Sequence, residues 1–186
     1  MPLIRRIDLR GADRASVDYR AVVPRAEFDV ESVMHRVREI TESVRTEGDA
    51  ALIALTEELD GVRLTDIRVP AQTLMDALVD LDPAIRAALE ESVRRLRATC
   101  EADLEQDATI EVAPGARVTH RAVPVDRVGL YVPGGVAPLV STVVMNVVPA
   151  QVAGVGSIAL SAPPTRETGL PDSSILAACA LLGVTE

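Results

Sequence analysis

The chain has 186 residues, a length that suits one domain or slightly more. Hydrophobic residues make up 48% and charged residues 25%, which excludes the disordered and collagen-like classes. The net charge of −9 would repel a phosphate backbone, and one Phe, two Tyr and no Trp provide little for base stacking, so nucleic acid is not expected as a partner. Every basic residue apart from histidine is Arg, which excludes Schiff-base chemistry on lysine.

Neither the cysteines nor the apolar segments point to secretion or to a membrane. Cys100 and Cys179 are isolated, unlike the cysteines of a disulfide framework or a zinc knuckle. No charged residue or histidine occurs between Val128 and Thr165, but Gly and Pro interrupt this stretch. Its longest uninterrupted run, Leu139–Val148, is shorter than the about 20 residues that a membrane-spanning helix needs. The N-terminus lacks the apolar core of a signal peptide, so we expect a cytoplasmic protein without a membrane segment.

The first two-thirds of the sequence has the apolar spacing of amphipathic helices. We expect the outer face of the last of these helices to carry the ion pairs Glu90–Arg94 and Glu91–Arg95. An alternating segment between the helices, Val62–Val69, predicts a short strand. The predicted helices are Val30–Thr46 (N-cap Asp29, stop Gly48), Asp49–Leu59, Ala71–Val79 and a long helix beginning at Pro83 after the N-cap Asp82.

Strand signals dominate after residue 109 and predict the start of a doubly wound α/β domain. Its strands are expected to be buried on both faces, because the region is free of charge. Val184-Thr185-Glu186 has the pattern of the entry to a third strand, so we expect the chain to be the front part of a longer protein. The predicted elements are a hairpin (Ile110–Val112 and Arg117–Val123), a strand (Arg127–Val132), a helix (Pro138–Ala153, kinked or restarted at Pro149), a strand (Ser157–Ser161) and a helix (Ser173–Leu182).

The candidate ligand site is the loop Pro133-Gly134-Gly135, which follows Tyr131 at the end of a predicted parallel strand. A Gly pair lets backbone N–H groups approach a ligand closely, and α/β proteins bind ligands at the carboxyl ends of their strands. The GxGxxG pattern of dinucleotide sites is missing, so a purely structural turn is the preferred interpretation of the pattern alone. For Tyr131, a buried core position is equally open.

The remaining polar residues have plainer interpretations. Ser141 and Thr142 are expected to cap a helix, and Asn146 to make a hydrogen bond in the core or at a domain interface. His35 is expected to form a solvated pair with Glu31, four residues before it. His120 is expected on the surface, and two distant histidines with two distant cysteines do not make a convincing metal site.

The segment from Arg127 to Pro164 closely resembles histidinol dehydrogenase in its VGLYVPGG, APLVSTVVMN and VPAQVAGV motifs. The segments EGDAALIALTEELDG and SSILAACALLGV are also similar to that family. The resemblance implies two incomplete Rossmann-like domains, similar to those of aldehyde dehydrogenases, in an intertwined homodimer. It implies zinc- and NAD-dependent oxidation of L-histidinol to the aldehyde and then to L-histidine, the last steps of histidine biosynthesis.

Few functional residues of the family find a match in this sequence. The resemblance implies that Tyr131 contacts NAD and that Pro133, Gly134 and Gly135 form the adjoining loop. It places the zinc ligands and the Glu-His acid/base pair outside this chain, so no catalytic or metal-binding residue is assigned. We expect a helix-rich region with a hairpin over residues 1–126 and a truncated Rossmann-like domain over 127–186, in an inactive fragment. The alternative is a non-catalytic nucleotide-binding or interaction module derived from the same fold.

Overall fold

The computed structural model describes residues 7–11, 13, 15, 17–22, 30–134 and 137–186. It divides into two compact units, residues 1–46 and 47–186. The predicted N-cap Asp29 lies outside the described residues. The elements in chain order are α1 (Tyr19–Val22), α2 (Val30–Glu47), α3 (Asp49–Asp60), α4 (Ala71–Val79), α5 (Pro83–Ala102), β1 (Ala108–Ala113), β2 (Ala116–His120), β3 (Arg127–Tyr131), α6 (Val140–Val152), β4 (Ser157–Ser161) and α7 (Ser173–Leu181).

The first unit is represented by α1 and most of α2. The helix predicted over Val30–Thr46 is confirmed, and it ends before Gly48 as expected. The partner of His35 differs from the predicted one, Glu31. His35 Nδ1 lies 3.3 Å from a carboxylate oxygen of Glu39, one turn later in the helix, and the side chain of Glu31 lies outside the described residues. The pair is exposed, as the solvated interpretation required.

The long helix α5 begins where its local sequence signals predict. Asp82 is the N-cap, and its Oδ1 accepts hydrogen bonds from the backbone N–H groups of Ala84 and Ile85 at 2.7 and 3.2 Å. Pro83 occupies the first position of the helix, where it needs no N–H partner. These residues satisfy N–H groups that have no partner inside the helix, so the start of α5 is determined locally.

The ion pairs on the outer face of α5 differ in part from the expectation. Glu91 pairs with Arg95 as predicted, and also with Arg94, through N–O distances of 2.7 Å in both cases. The predicted Glu90–Arg94 pair is wrong, because Glu90 binds Arg86 instead, at 2.9 Å. A glutamate can reach basic residues three or four positions away in either direction, so spacing alone does not choose the partner.

The predicted strand Val62–Val69 is wrong. This segment is irregular and joins α3 to α4. The side chain of Asp66 accepts a hydrogen bond from the backbone N–H of Arg68 at 2.9 Å, which turns the chain locally. Val62 is nevertheless buried and Val69 packs against the core. The alternating apolar residues of this segment therefore indicate burial, although the segment pairs with no described strand.

The hairpin β1–β2 is confirmed, although β2 ends at His120, earlier than predicted. Its strands are antiparallel, with Ile110 opposite Val118 and Thr109 opposite Thr119. Alternation places the two threonines on one face and the aliphatic side chains on the other. The hydroxyls of the threonine pair lie 2.9 Å apart. Ile110 and Val118 remain exposed, so the hairpin presents an apolar face to solvent.

The β3–α6–β4–α7 segment confirms the predicted α/β class. Strands β3 and β4 are parallel and in register from Arg127–Ser157 to Tyr131–Ser161. Helix α6 packs against α5 and α7, and α7 packs against α4. Helix α6 begins two residues later than predicted and continues through Pro149 as one helix. Its valines dominate the aliphatic core, where the largest fully buried side chains are Val132, Val143, Val147 and Val148.

Burial of the sheet on both faces is wrong for β3. Leu130, Ile158 and Leu160 pack against the core that α6 and α7 help to form. The alternate residues of β3, which are Arg127, Gly129 and Tyr131, are exposed. The reason is that α6 and α7 pack against each other and both contribute to this one core, which leaves the other face uncovered. The charge-free sequence from residue 128 onward therefore corresponds, in β3, to one buried face and one exposed face with uncharged residues.

The end of the chain approaches β4, as the predicted third strand would. The backbone N–H of Leu160 donates a hydrogen bond to the carbonyl of Glu186 at 2.9 Å. The Glu186 carboxylate also forms an ion pair with Arg127 at the start of β3. These contacts align the last residues with the β4 edge that does not face β3.

No helix in the described parts of the chain is long and apolar enough to span a membrane.

Candidate functional site

The candidate site lies where β3 ends and the chain turns toward α6. Tyr131 is the last residue of β3, and it is 62% exposed. Its interpretation as a buried core tyrosine is therefore wrong. An exposed aromatic ring at the carboxyl end of a parallel strand offers an apolar face to a ligand. The parallel register places Ser161, the exposed last residue of β4, directly beside Tyr131.

The loop after Tyr131 is held against β4 and the segment that follows it. The N–H of Val132 donates to the carbonyl of Ser161 at 2.9 Å, which extends the parallel ladder by one bond. A Cβ at Gly134 would lie 2.8 Å from Cγ of Pro163, closer than real Cβ contacts allow. Gly134 is thus required by packing inside the protein. Its neighbour in the loop, Gly135, lies outside the described residues.

Helix α6 anchors the site from the other side. Asn146 Nδ2 donates to the carbonyl of Tyr131 at 3.0 Å, so the predicted hydrogen bond is present, but Asn146 is half-buried and the bond is exposed rather than part of the core. The helix begins at Val140, and no side chain caps it. The capping prediction for Ser141 and Thr142 is therefore wrong: both lie within the first turn. An uncapped helix start carries partial positive charge, and here four residues separate it from the loop.

The other sequence candidates include the two histidines and the two cysteines. His120 is exposed on β2, as predicted, and His35 lies on α2 in the other unit. Among the described residues, no group of three or more His, Cys, Asp or Glu side chains is arranged to hold a metal ion. Burial raises the pKa of the Cys179 thiol to about 11, so this cysteine is protonated and is not an activated nucleophile.

A groove of about 680 Å³ lies between the β3–β4 sheet, the segment after α3, and α7. It is lined largely by aliphatic side chains, with the ion pair of Arg127 and Glu186 among its polar groups. Arg68, another lining residue, donates to the carbonyl of Thr185 at 3.2 Å. Tyr131 does not line this groove, but Ser161 and Pro163 do, so the groove adjoins the candidate site.

The comparisons with known proteins agree on a single family. The family model described as histidinol dehydrogenase matches residues 23–186. The chain belongs to the histidinol dehydrogenase family. It is 56% identical to histidinol dehydrogenase from Streptomyces avermitilis, over 99% of this chain and 42% of that protein. It is 57% identical to the Thermobifida fusca enzyme, again over 99% of this chain and 42% of the relative.

A solved structure extends the family relationship to the fold. The crystal structure of histidinol dehydrogenase from Elizabethkingia anophelis matches with a TM-score of 0.79 and 32% sequence identity. The match covers 88% of this chain and 37% of that one. The chain therefore spans about two-fifths of the length of the histidinol dehydrogenases that it matches.

Sequence reasoning missed two residues that shape the site, Ser161 and Pro163. In the sequence, Ser161 marks only the end of a predicted strand, and Pro163 lies two residues beyond it. Their roles follow from register: a parallel β-α-β unit brings the carboxyl end of β4 beside that of β3. The sequence predicts both strands, but it does not give the register in which β3 and β4 pair. Only that register places Ser161 beside Tyr131.

Proposed function

We propose that this chain supplies the part of a histidinol dehydrogenase that contacts the dinucleotide. In this proposal Tyr131 and the loop Pro133-Gly134-Gly135 bind NAD, which accepts hydride as L-histidinol is oxidised to the aldehyde and then to L-histidine. The observation that carries the proposal is the exposed ring of Tyr131 at the carboxyl end of β3 in a chain of this family. Because the ring is already exposed, it can pack against a bound ligand without losing contacts inside the protein.

The residues at the site fit a dinucleotide in their chemistry. The Tyr131 ring provides an apolar surface, and the Ser161 hydroxyl beside it can exchange hydrogen bonds with a polar ligand. The start of α6 offers partial positive charge to an anionic group. No acidic side chain occurs between Val128 and Thr165, so the loop and the helix start add no carboxylate that would repel phosphate.

Zinc does not fit the described residues, because they provide no group of at least three suitable ligands. We therefore derive no step through the metal in this chain. The proposal assigns zinc binding and the transfer of the substrate hydroxyl proton to residues outside the 186, with a homodimer as the working assembly. Oxidation of an alcohol needs a base for that proton while hydride leaves for NAD.

A chimera tests the proposal. This chain would replace the matching segment, 42% of the Streptomyces avermitilis relative, and NADH formation from L-histidinol would be measured by absorbance. We expect the chimera to turn over, and the same chimera with Tyr131→Ala to require more NAD for half-maximal rate. A folded, dimeric chimera without activity would contradict the proposal. It would favour the alternative of a non-catalytic module.

A further inference from the structure

Asn146 lies in a position that is unfavourable for its side chain. It occupies the middle of α6, where Val143, Val144, Val147 and Val148 around it are buried. Asn146 itself is half-buried beside the exposed Met145, and asparagine is a poor helix former, so neither burial nor helix propensity explains its place in α6. The bond from Nδ2 to the carbonyl of Tyr131 satisfies one donor, and its partner lies 15 residues earlier in the chain.

This bond completes a clamp on one peptide group. The peptide that joins Tyr131 to Val132 is trans, so its C=O and N–H point in opposite directions. The N–H side is bound by the carbonyl of Ser161 at 2.9 Å, and the C=O side is bound by Asn146 at 3.0 Å. Strand β3 has β4 as its one partner strand in the described sheet, so the Asn146 amide takes the place of a neighbouring strand on the open side.

We infer that Asn146 is a positioning residue for the nucleotide site: it fixes the orientation of the peptide between Tyr131 and Val132. That peptide precedes the loop, so its orientation sets both the direction of the Tyr131 ring and the course of Pro133 and Gly134. The inference rests on the proposed function where it concerns NAD. The clamp itself is a property of the fold and can be measured without the nucleotide.

Gln151 provides a matched control on the same helix. Its Nε2 donates to the backbone carbonyl of Leu182 at 2.6 Å, so it also makes a bond from a side-chain amide to a main-chain oxygen. Its partner follows α7 and lies outside the loop. Asn146→Leu and Gln151→Leu each remove a bond from a side-chain amide to a main-chain oxygen, and only Asn146→Leu removes it from the clamp. Gln151→Leu also removes the hydrogen bond that Arg97 donates to Oε1 at 2.7 Å, an additional loss of stability that thermal unfolding measures.

The experiment uses the 186-residue chain and the two variants. Amide hydrogen exchange at Val132, resolved by NMR, measures the clamp, and calorimetric titration with NAD measures the site. Thermal unfolding corrects both for global stability. We expect Asn146→Leu to speed exchange at Val132 by about three- to tenfold and to weaken NAD binding by a similar factor, the scale of one hydrogen bond. Gln151→Leu should leave the exchange rate at Val132 and the affinity for NAD unchanged once both are corrected for the loss of global stability.

Each result decides one part of the inference. Equal exchange at Val132 in both variants would overturn the clamp, whatever happens with NAD. Faster exchange in Asn146→Leu with unchanged NAD affinity would overturn the link between the clamp and the site. If the unsubstituted chain and the chimera both fail to bind NAD, the proposed function fails. The positioning of the peptide is then judged on exchange alone.

Discussion

Gly134 and Pro163 approach each other so closely that the glycine cannot be replaced without movement. A Cβ built at Gly134 meets Cγ of Pro163 at 2.8 Å, and the proline ring cannot rotate away as a flexible side chain would. The contact joins the loop after β3 to the segment after β4. The same glycine therefore serves the packing of the sheet ends and, in the proposed function, the approach of NAD.

Substitution of Gly134 by alanine should destabilise the chain by about 1–3 kcal/mol, the cost of overpacking. Gly129→Ala is the control, because a Cβ at Gly129 has no neighbour within 4 Å and its φ is not in the left-handed region. Urea unfolding would measure both variants. Pro163→Ala removes the clashing atom, so Gly134→Ala should cost much less in that background. An equal cost in both backgrounds would contradict the steric explanation.

Tyr131→Ala should weaken NAD binding by about 1–2 kcal/mol, the scale of a lost aromatic contact. The free energy of unfolding should change little, because the ring is 62% exposed. Tyr19→Ala is a matched control: that ring is also exposed and belongs to the other unit. Calorimetric titration would give the affinities. Equal affinity in the two variants would remove Tyr131 from the proposed site.

The Glu91 carboxylate should make a small contribution to stability that disappears in acid. Hydrogen bonds from Arg94 and Arg95 lower the pKa of Glu91 from 4.5 to about 2. The folded pKa lies below the unfolded one, so the contribution is complete above pH 4.5 and is lost as the pH falls toward 2. The group is exposed, so salt should reduce the effect. NMR titration should show the pKa returning toward 4.5 when both arginines are replaced by glutamine.

The Cys179 thiol should make the fold sensitive to alkali. Burial raises its pKa from 9.0 to about 11, so between these values the unfolded chain loses the proton first and the free energy of unfolding falls with rising pH. In native conditions iodoacetamide should modify the half-buried Cys100 before Cys179, which is 4% exposed. Mass spectrometry of the alkylated chain would show the order. Equal rates at the two thiols would contradict the burial argument.

The 186-residue chain alone should form no NADH from L-histidinol, even with added zinc. Its two histidines, His35 and His120, are exposed on α2 and β2. The described residues provide no metal-binding group. A missing general base alone typically costs about 10²- to 10⁴-fold in rate. The Streptomyces avermitilis relative would serve as the positive control, and turnover that persists after removal of host enzyme would contradict the prediction.

Local signals predicted most of the elements, although spacing along one helix did not choose between neighbouring ion-pair partners, as the pairing of Glu90 with Arg86 shows. Contacts between distant residues account for the errors at the candidate site. The start of α5 was predictable because Asp82 and Pro83 act on the adjacent turn. The exposure of Tyr131 was not, since it depends on which face of the sheet the helices cover. The Gly134–Pro163 contact was equally hidden, because it joins residues 29 positions apart through the register of two strands. The proposed domain boundary between residues 126 and 127 stays a prediction.

The placement of Tyr131 also determines how the molecule can be observed with light. The chain has no tryptophan, and its second tyrosine, Tyr19, lies in the other unit. All tyrosine fluorescence from residues 47–186 therefore comes from one exposed ring beside the loop. A Tyr19→Phe chain would report ligand arrival and loop rearrangement through its own emission, without a label and without background from a buried aromatic core.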